Sequence, residues 1–322
     1  MLWLYAPLRV ATFLSLINGI ILMLLNNHFT FYLSYLGMNY SNVIGYLLIQ
    51  VFILQFISGI LLSCYYSPFY TIAFDSVFYT MIDVKYGWLI RWYHVLGASL
   101  FMFFITAHWI RGSWLRLKVI DSFYSLLIWF SGMLLWICSM IEGFLGYILN
   151  WGQMSYWGIN VMINILSTFW MFDIVSISAV IASLIWCSCN VIINRIFVVH
   201  FSLGFLIGNV LFLHVFLLHS FSSCNALFNS CSSLIIPFFP LFYNDVFVTL
   251  IWCCFSFCYF LFSEPDLFGN SDNLIFANAI STPNHILPEW YFLIFYSCLR
   301  AFSNKNIGIL IVLALFIFFM EF

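Results

Sequence analysis

Charge is scarce in this sequence. Of its 322 residues only 6% are Asp, Glu, Lys or Arg, nine basic against eleven acidic, where a soluble domain carries about 25%. That excludes an ordinary water-soluble globule, and an apolar content of 65% excludes disorder. A formal net charge of −2 provides no basic surface, so nucleic acid is excluded as a partner. Paired-cysteine motifs are missing too. The ten cysteines form no Cys-x-x-Cys, which leaves zinc ribbons and covalently attached c-type haem without support. Most lie in apolar runs and read as small packing residues. The first ten residues hold one Arg, and no small-residue cleavage site follows a short apolar core, so the first segment is expected to stay in the mature protein.

What the sequence has in quantity is long apolar runs. At about 20 residues per helical span, five spans are predicted at 43–64, 88–110, 123–149, 196–218 and 246–262, with a sixth at 307–322. The stretch 11–25 is short and interrupted by Asn18 and Gly19, so an N-terminal segment over 1–42 is expected to lie at the membrane interface. The stretch 174–193 carries Ser176, Ser178, Ser183, Ser188 and Asn190, and is read as a surface or re-entrant part of a connection over 150–195. The fold class is therefore all-α, a polytopic membrane helical bundle. Its expected parts are a four-helix core over 43–218, a loop over 219–245 and two further spans over 246–322. Arg111, Arg116 and Lys118 cluster after the second span, while Asp75, Asp83, Glu264, Asp266 and Asp272 mark the other side. The basic loop faces the side of insertion, which makes spans two and four parallel.

Those two spans carry histidines at one repeated spacing. His94 and His108 are fourteen apart, and so are His200 and His214. Fourteen residues turn a helix by about 1400°, close to four full turns, and advance it about 21 Å. Each pair thus shares a face. On parallel helices His94 can meet His200 and His108 can meet His214, giving two bis-imidazole sites at two depths, the way a protein holds low-spin haem. Gly45 and Gly59 on span one, and Gly132 and Gly146 on span three, repeat the spacing. Glycine lets a flat cofactor approach the backbone, although spaced glycines also serve helix packing. Arg91 and Arg111 stand three residues from a histidine, where propionates need counter-charges; interfacial snorkelling is the plainer alternative.

The runs 87–94 (GWLIRWYH), 146–158 (GYILNWGQMSYWG) and Pro288-Glu289-Trp290-Tyr291 resemble the cytochrome b family of the ubiquinol–cytochrome c reductase. The likeness extends from about residue 40 to the end of the chain. It implies that His94, His108, His200 and His214 ligate two non-covalent b haems and that ubiquinol and ubiquinone are substrates. It also implies an outer quinol site at Glu289, Tyr291, Tyr147 and Gly158, with Glu289 accepting a proton. An inner quinone site would use His219 and Asp245. Electrons released from quinol would pass partly to an iron–sulfur (Rieske-type) subunit and partly through the two haems to the inner quinone, moving protons across the membrane. Implied partners are that subunit, a cytochrome c-type subunit, membrane lipid and a second copy of the complex. The implied location is the mitochondrial inner membrane, with a bacterial plasma membrane as the alternative.

Several positions depart from the family pattern. Asn150 stands for a usual proline, Asn244 for a common Lys, and Glu142 for a small apolar residue. Glu142 is expected to be sheltered from lipid, since an unpartnered carboxylate there costs several kcal/mol. The usual member has eight spans, so helices of a separate chain or of another subunit are expected beside the sixth. Two rivals share some of these features: a stand-alone dihaem electron carrier, which needs neither the Pro-Glu-Trp-Tyr run nor His219, and a transporter with a histidine proton relay, which needs no haem.

Overall fold

The computed structural model describes residues 18–19, 33–35, 40–116, 123–168, 189–221, 235–237 and 243–321. They are almost entirely helical. The elements are α1 (Ile44–Ser63), α2 (Ala73–Ile82), α3 (Gly87–Arg116), α4 (Phe123–Leu149), α5 (Gln153–Thr168), α6 (Cys189–Phe221), α7 (Tyr243–Ser263), α8 (Leu293–Ala301) and α9 (Lys305–Glu321). Two three-residue strands, β1 (Leu33–Tyr35) and β2 (Ile235–Pro237), pair antiparallel, Ser34 opposite Ile236.

Five helices are long and apolar enough to cross a membrane: α1, α3, α4, α6 and α7. The expected sixth span corresponds to α9, which has 17 residues. Most of 174–193 lies outside the described residues; its last residues, from Cys189, already belong to α6. The interfacial segment expected at 11–25 is also outside them, apart from Asn18 and Gly19. The connection expected over 150–195 contains a helix, α5, whose polar residues Gln153 and Ser155 are buried by bonding to a neighbouring loop.

The four core helices form two pairs, α1 with α3 and α4 with α6. Between them lies a core of long, flexible side chains. Met102 and Met133 are fully buried beside Val51 and Trp136, where thioethers fill irregular gaps. Trp136 stacks on Trp109 at 5.6 Å with planes 13° apart. On the other side Phe295 of α8 stacks on Phe316 of α9, and Trp129 Nε1 donates to the Met320 carbonyl at 2.8 Å, tying α9 to α4. The outer faces are aromatic and bare: Phe212, Trp252 and Phe255 are each more than 60% exposed within the chain. In water that would be an aggregation hazard; in lipid it is the expected surface.

Two tight corners set the helix directions. Before α3, Tyr86 has a positive φ of 61°, and Gly87 follows because a Cβ there would meet the Thr80 carbonyl oxygen. After α4 the fully buried Trp151 has φ 51°. Next to it Gly152 approaches the Asn273 backbone so closely that a side chain would not fit. The Trp-Gly-Gln run then clasps the loop preceding the Pro-Glu-Trp-Tyr segment. Gln153 N–H donates to the Ile275 carbonyl, Gln153 Oε1 accepts from Asn278 N–H at 2.7 Å, and Ser155 Oγ bonds Asn273 Oδ1 at 2.8 Å.

Candidate functional site

The antiparallel pairing of α1 with α3, and of α4 with α6, puts a glycine against each histidine. A Cβ built on Gly59 would lie 3.2 Å from Cε1 of His94, and one on Gly45 would lie 3.2 Å from Cε1 of His108. On the other pair, Gly132 faces His214 at 3.2 Å and Gly146 faces His200 at 2.9 Å. All four separations are tighter than ordinary van der Waals contact, so an added methyl group would displace the imidazole.

Across the bundle the rings meet in pairs. His94 and His200 have ring centres 6.5 Å apart and planes 87° apart; for His108 and His214 the values are 6.5 Å and 78°. A metal–imidazole bond is about 2 Å, with roughly 1 Å more from nitrogen to ring centre, so an ion between two imidazoles needs about 6 Å. Both pairs meet that requirement. Among the described residues no group of three or more His, Cys, Asp or Glu is placed to hold a metal ion. The remaining positions around an ion would therefore fall to a macrocycle, and the glycine positions keep the backbone clear for one. The residues present fit b-type haem.

The polar atoms behind the rings differ. Nδ1 of His94 lies 2.9 Å from Ser58 Oγ, and Nδ1 of His214 lies 2.9 Å from Ser131 Oγ. Among the described residues His108 Nδ1 has no hydrogen-bond partner. His200 Nδ1 stands 3.1 Å from Glu142 Oε1, a close contact that, as the side chains lie, is not a hydrogen bond. Sequence reasoning passed over both serines, although each immediately precedes a glycine of the repeat.

A cavity of about 280 Å³ takes in His94 and His200 together with Tyr147, Glu289 and Tyr291. Glu289 as a residue is part-exposed, but protein surrounds its carboxyl group, and that desolvation pushes its pKa up to about 7. Two neighbours oppose the rise: Tyr291 donates its hydroxyl to Glu289 Oε2, and the Arg91 guanidinium lies nearby. Burial, and then the adjacent carboxylate, keep the Tyr291 hydroxyl firmly protonated. Tyr291 fits because residue 143 is glycine; a Cβ there would lie 2.7 Å from the phenolic oxygen. Arg91 Nη2 donates to Asn150 Oδ1 at 3.2 Å, and Asn150 Nδ2 donates to the Asn273 carbonyl at 2.6 Å. Asn150 thereby joins Arg91 to the loop. Asp266 lines the same cavity and is held above the usual carboxylate range by burial, against the pull of Arg91.

Other expected residues are placed elsewhere. Gly158 does not line this cavity, and the space beside it is open. Arg111 Nε donates to Ser41 Oγ at 3.2 Å at the opposite end of the bundle. His219 lies in the last turn of α6 and Asp245 in the first turn of α7; the connecting residues 222–234 and 238–242 lie outside the described residues.

A membrane bundle with two facing imidazole pairs backed by glycine is the architecture of a haem-binding electron-transfer protein. Comparison with known proteins gives the family. The model "Cytochrome b/b6/petB" matches residues 15–222 and "Cytochrome b(C-terminal)/b6/petD" matches residues 276–322. Cytochrome b of Phytophthora megasperma is 37% identical over 289 residues, covering 89% of this chain and 73% of that protein. Cytochrome b of Rickettsia conorii is 36% identical over 299 residues, covering 91% and 73%. A solved hyperthermophilic respiratory Complex III contains a chain that superposes with a TM-score of 0.80 at 26% identity, over 90% of this chain and 76% of that one. The chain belongs to the cytochrome b family, the core membrane subunit of the ubiquinol–cytochrome c reductase complex. Membership implies b-type haem and a quinone substrate.

Proposed function

We propose that the chain is a dihaem subunit that oxidises quinol at an outer site and reduces quinone at an inner one. His94 with His200, and His108 with His214, hold the two haems, and Arg91 and Arg111 offset propionate charge. Bound there, b-type haem would supply one-electron transfer between the two depths. At the outer site Glu289 takes a proton from the quinol hydroxyl, and Tyr291 and Tyr147 shape the cavity around it. A group near pKa 7 can both accept and release that proton at physiological pH. Of the two electrons, one leaves to an iron–sulfur partner and the other crosses the membrane. At the inner site His219 and Asp245 bind quinone and supply its protons.

The observation that carries this proposal is the shared cavity: Glu289 and Tyr291 open into the same space as His94 and His200. A simple electron carrier has no use for a proton acceptor there. The chain would work beside a Rieske-type subunit and a cytochrome c-type subunit, in a dimeric complex. The eukaryotic relatives favour the mitochondrial inner membrane; the Rickettsia relatives keep a bacterial membrane in view. A reduced-minus-oxidised spectrum of membranes carrying the complex should show two b-type components. Outer-site and inner-site quinone analogues, applied separately, should each block turnover. One b component, or insensitivity to both analogues, would overturn the reading.

A further inference from the structure

Three of the four imidazoles have a polar atom close behind Nδ1, and one of these is unlike the others. Ser58 and Ser131 each precede the glycine that faces the same histidine. The corresponding residues before Gly45 and Gly146 are Ile44 and Leu145, which offer no acceptor. At His108 no described residue bonds Nδ1, whereas at His200 the place is taken by Glu142, one turn before Gly146. Its Oε1 is 3.1 Å from Nδ1. The carboxylate rests over Gly204, 3.5 Å from where a Cβ would stand. Oε2 is buried with no hydrogen-bond partner among the described residues. A carboxyl group inside a membrane bundle is expensive unless something holds it, and among the described residues its one ion-pair contact is the ring of His200.

We propose that Glu142 is a positioning residue for His200: it accepts the Nδ1–H, fixes the ring plane, and makes this imidazole the most electron-rich of the four. The inference rests on His200 being a haem ligand. A small turn of the ring brings Nδ1–H onto Oε1. A carboxylate acceptor binds that hydrogen more strongly than a serine hydroxyl does, and partners of this kind raise ligand basicity. A more basic, net-negative ligand set favours ferric over ferrous iron. The outer site thus sits lower in potential than its imidazoles alone would set. Because the oxidised state of that site must accept an electron from bound quinol, Glu142 would tune the step without touching the substrate.

The test is a redox titration of the two b components in membranes holding the intact complex, with electron paramagnetic resonance of the ferric haems. Glu142→Gln keeps the shape and an acceptor but removes the charge. Its expected result is an upward midpoint shift of one component, the other unchanged. A tenfold loss of ferric preference corresponds to 59 mV for one electron. Glu142→Leu removes the acceptor as well and should also change the resonance signal that reports ring orientation, or lose that haem. Adding Leu145→Ser to Glu142→Leu rebuilds the serine arrangement of the other two histidines. It should restore haem and signal but not the low potential. Both haems bound at parental midpoints in Glu142→Gln and Glu142→Leu would overturn the proposal while leaving the haem assignment intact. Absence of two b components in the parent complex would instead remove the assignment on which it rests.

Discussion

Gly146 and His200 are in closer contact than any other glycine–histidine pair: a Cβ on Gly146 would stand 2.9 Å from the ring. α4 and α6 are locked together along their length, so the helix cannot move away and the imidazole must. Gly146→Ala should therefore displace His200 and abolish one b component while sparing the other. Gly45→Ala, at 3.2 Å, should weaken its own site without emptying it. Haem quantified by difference spectra at stepwise potentials decides both. Two intact components in Gly146→Ala would show that the ring has room the packing denies.

Burial pushes the pKa of the Glu289 carboxyl up to about 7. A proton acceptor must be ionised, so quinol oxidation should climb as pH rises through about 7 and level off above it. Glu289→Gln should lower the rate and flatten this limb with haem unaffected. Tyr291→Phe removes a hydrogen bond that favours the ionised carboxylate, so the limb should move to higher pH. Steady-state rates across pH with the inner site blocked would check both signs. A limb that stays put in Tyr291→Phe would remove Glu289 as its origin.

Tyr291 lies against Gly143, where a methyl group would meet the phenolic oxygen at 2.7 Å. Gly143→Ala should push the hydroxyl off Glu289 and reproduce the Tyr291→Phe shift without removing the phenol. The pH limb is again the readout. Unchanged quinol kinetics would mean the ring has another resting place.

Asn150 bonds Arg91 on one side and the Asn273 carbonyl on the other, and is itself buried. Asn150→Ala leaves both partners short, at a cost of about 1–3 kcal/mol for the buried carbonyl. The loop over 264–285 should become more open to protease, and Gln153→Ala should do the same by removing the side-chain bonds to Asn278 N–H and the Ser281 carbonyl. Limited proteolysis of membranes at fixed temperature would measure this. Equal cleavage in parent and variants would assign the clasp to other contacts.

The fold class was legible because lipid forces helices to satisfy their own backbone, so span length and apolar runs follow directly from composition; the family was legible only through the motif runs 87–94, 146–158 and 288–291. The repeat of fourteen was legible because helical geometry maps spacing onto a face; α1 and α4 match the predicted spans within a residue, while α3 runs six residues past its predicted end and α6 begins seven before its predicted start. α2, α5 and α8 were not anticipated. Each is short or partly polar, and only contact with neighbours decides its conformation. The span predicted at 307–322 falls on α9, Lys305–Glu321.

By itself, then, the sequence determined that this chain crosses membranes, that four histidines fall on two faces at two depths, and which family motifs it carries. The first two follow from local apolar runs and helical periodicity, and the last from the residue runs themselves. The tertiary structure alone decided that Ser58, Ser131 and Glu142 stand behind particular imidazoles, that Gly143 makes room for Tyr291, and that Asn150 holds Arg91 to a loop more than a hundred residues away. Such contacts depend on how helices rotate and cross when packed, and no spacing within one helix encodes its neighbour's orientation.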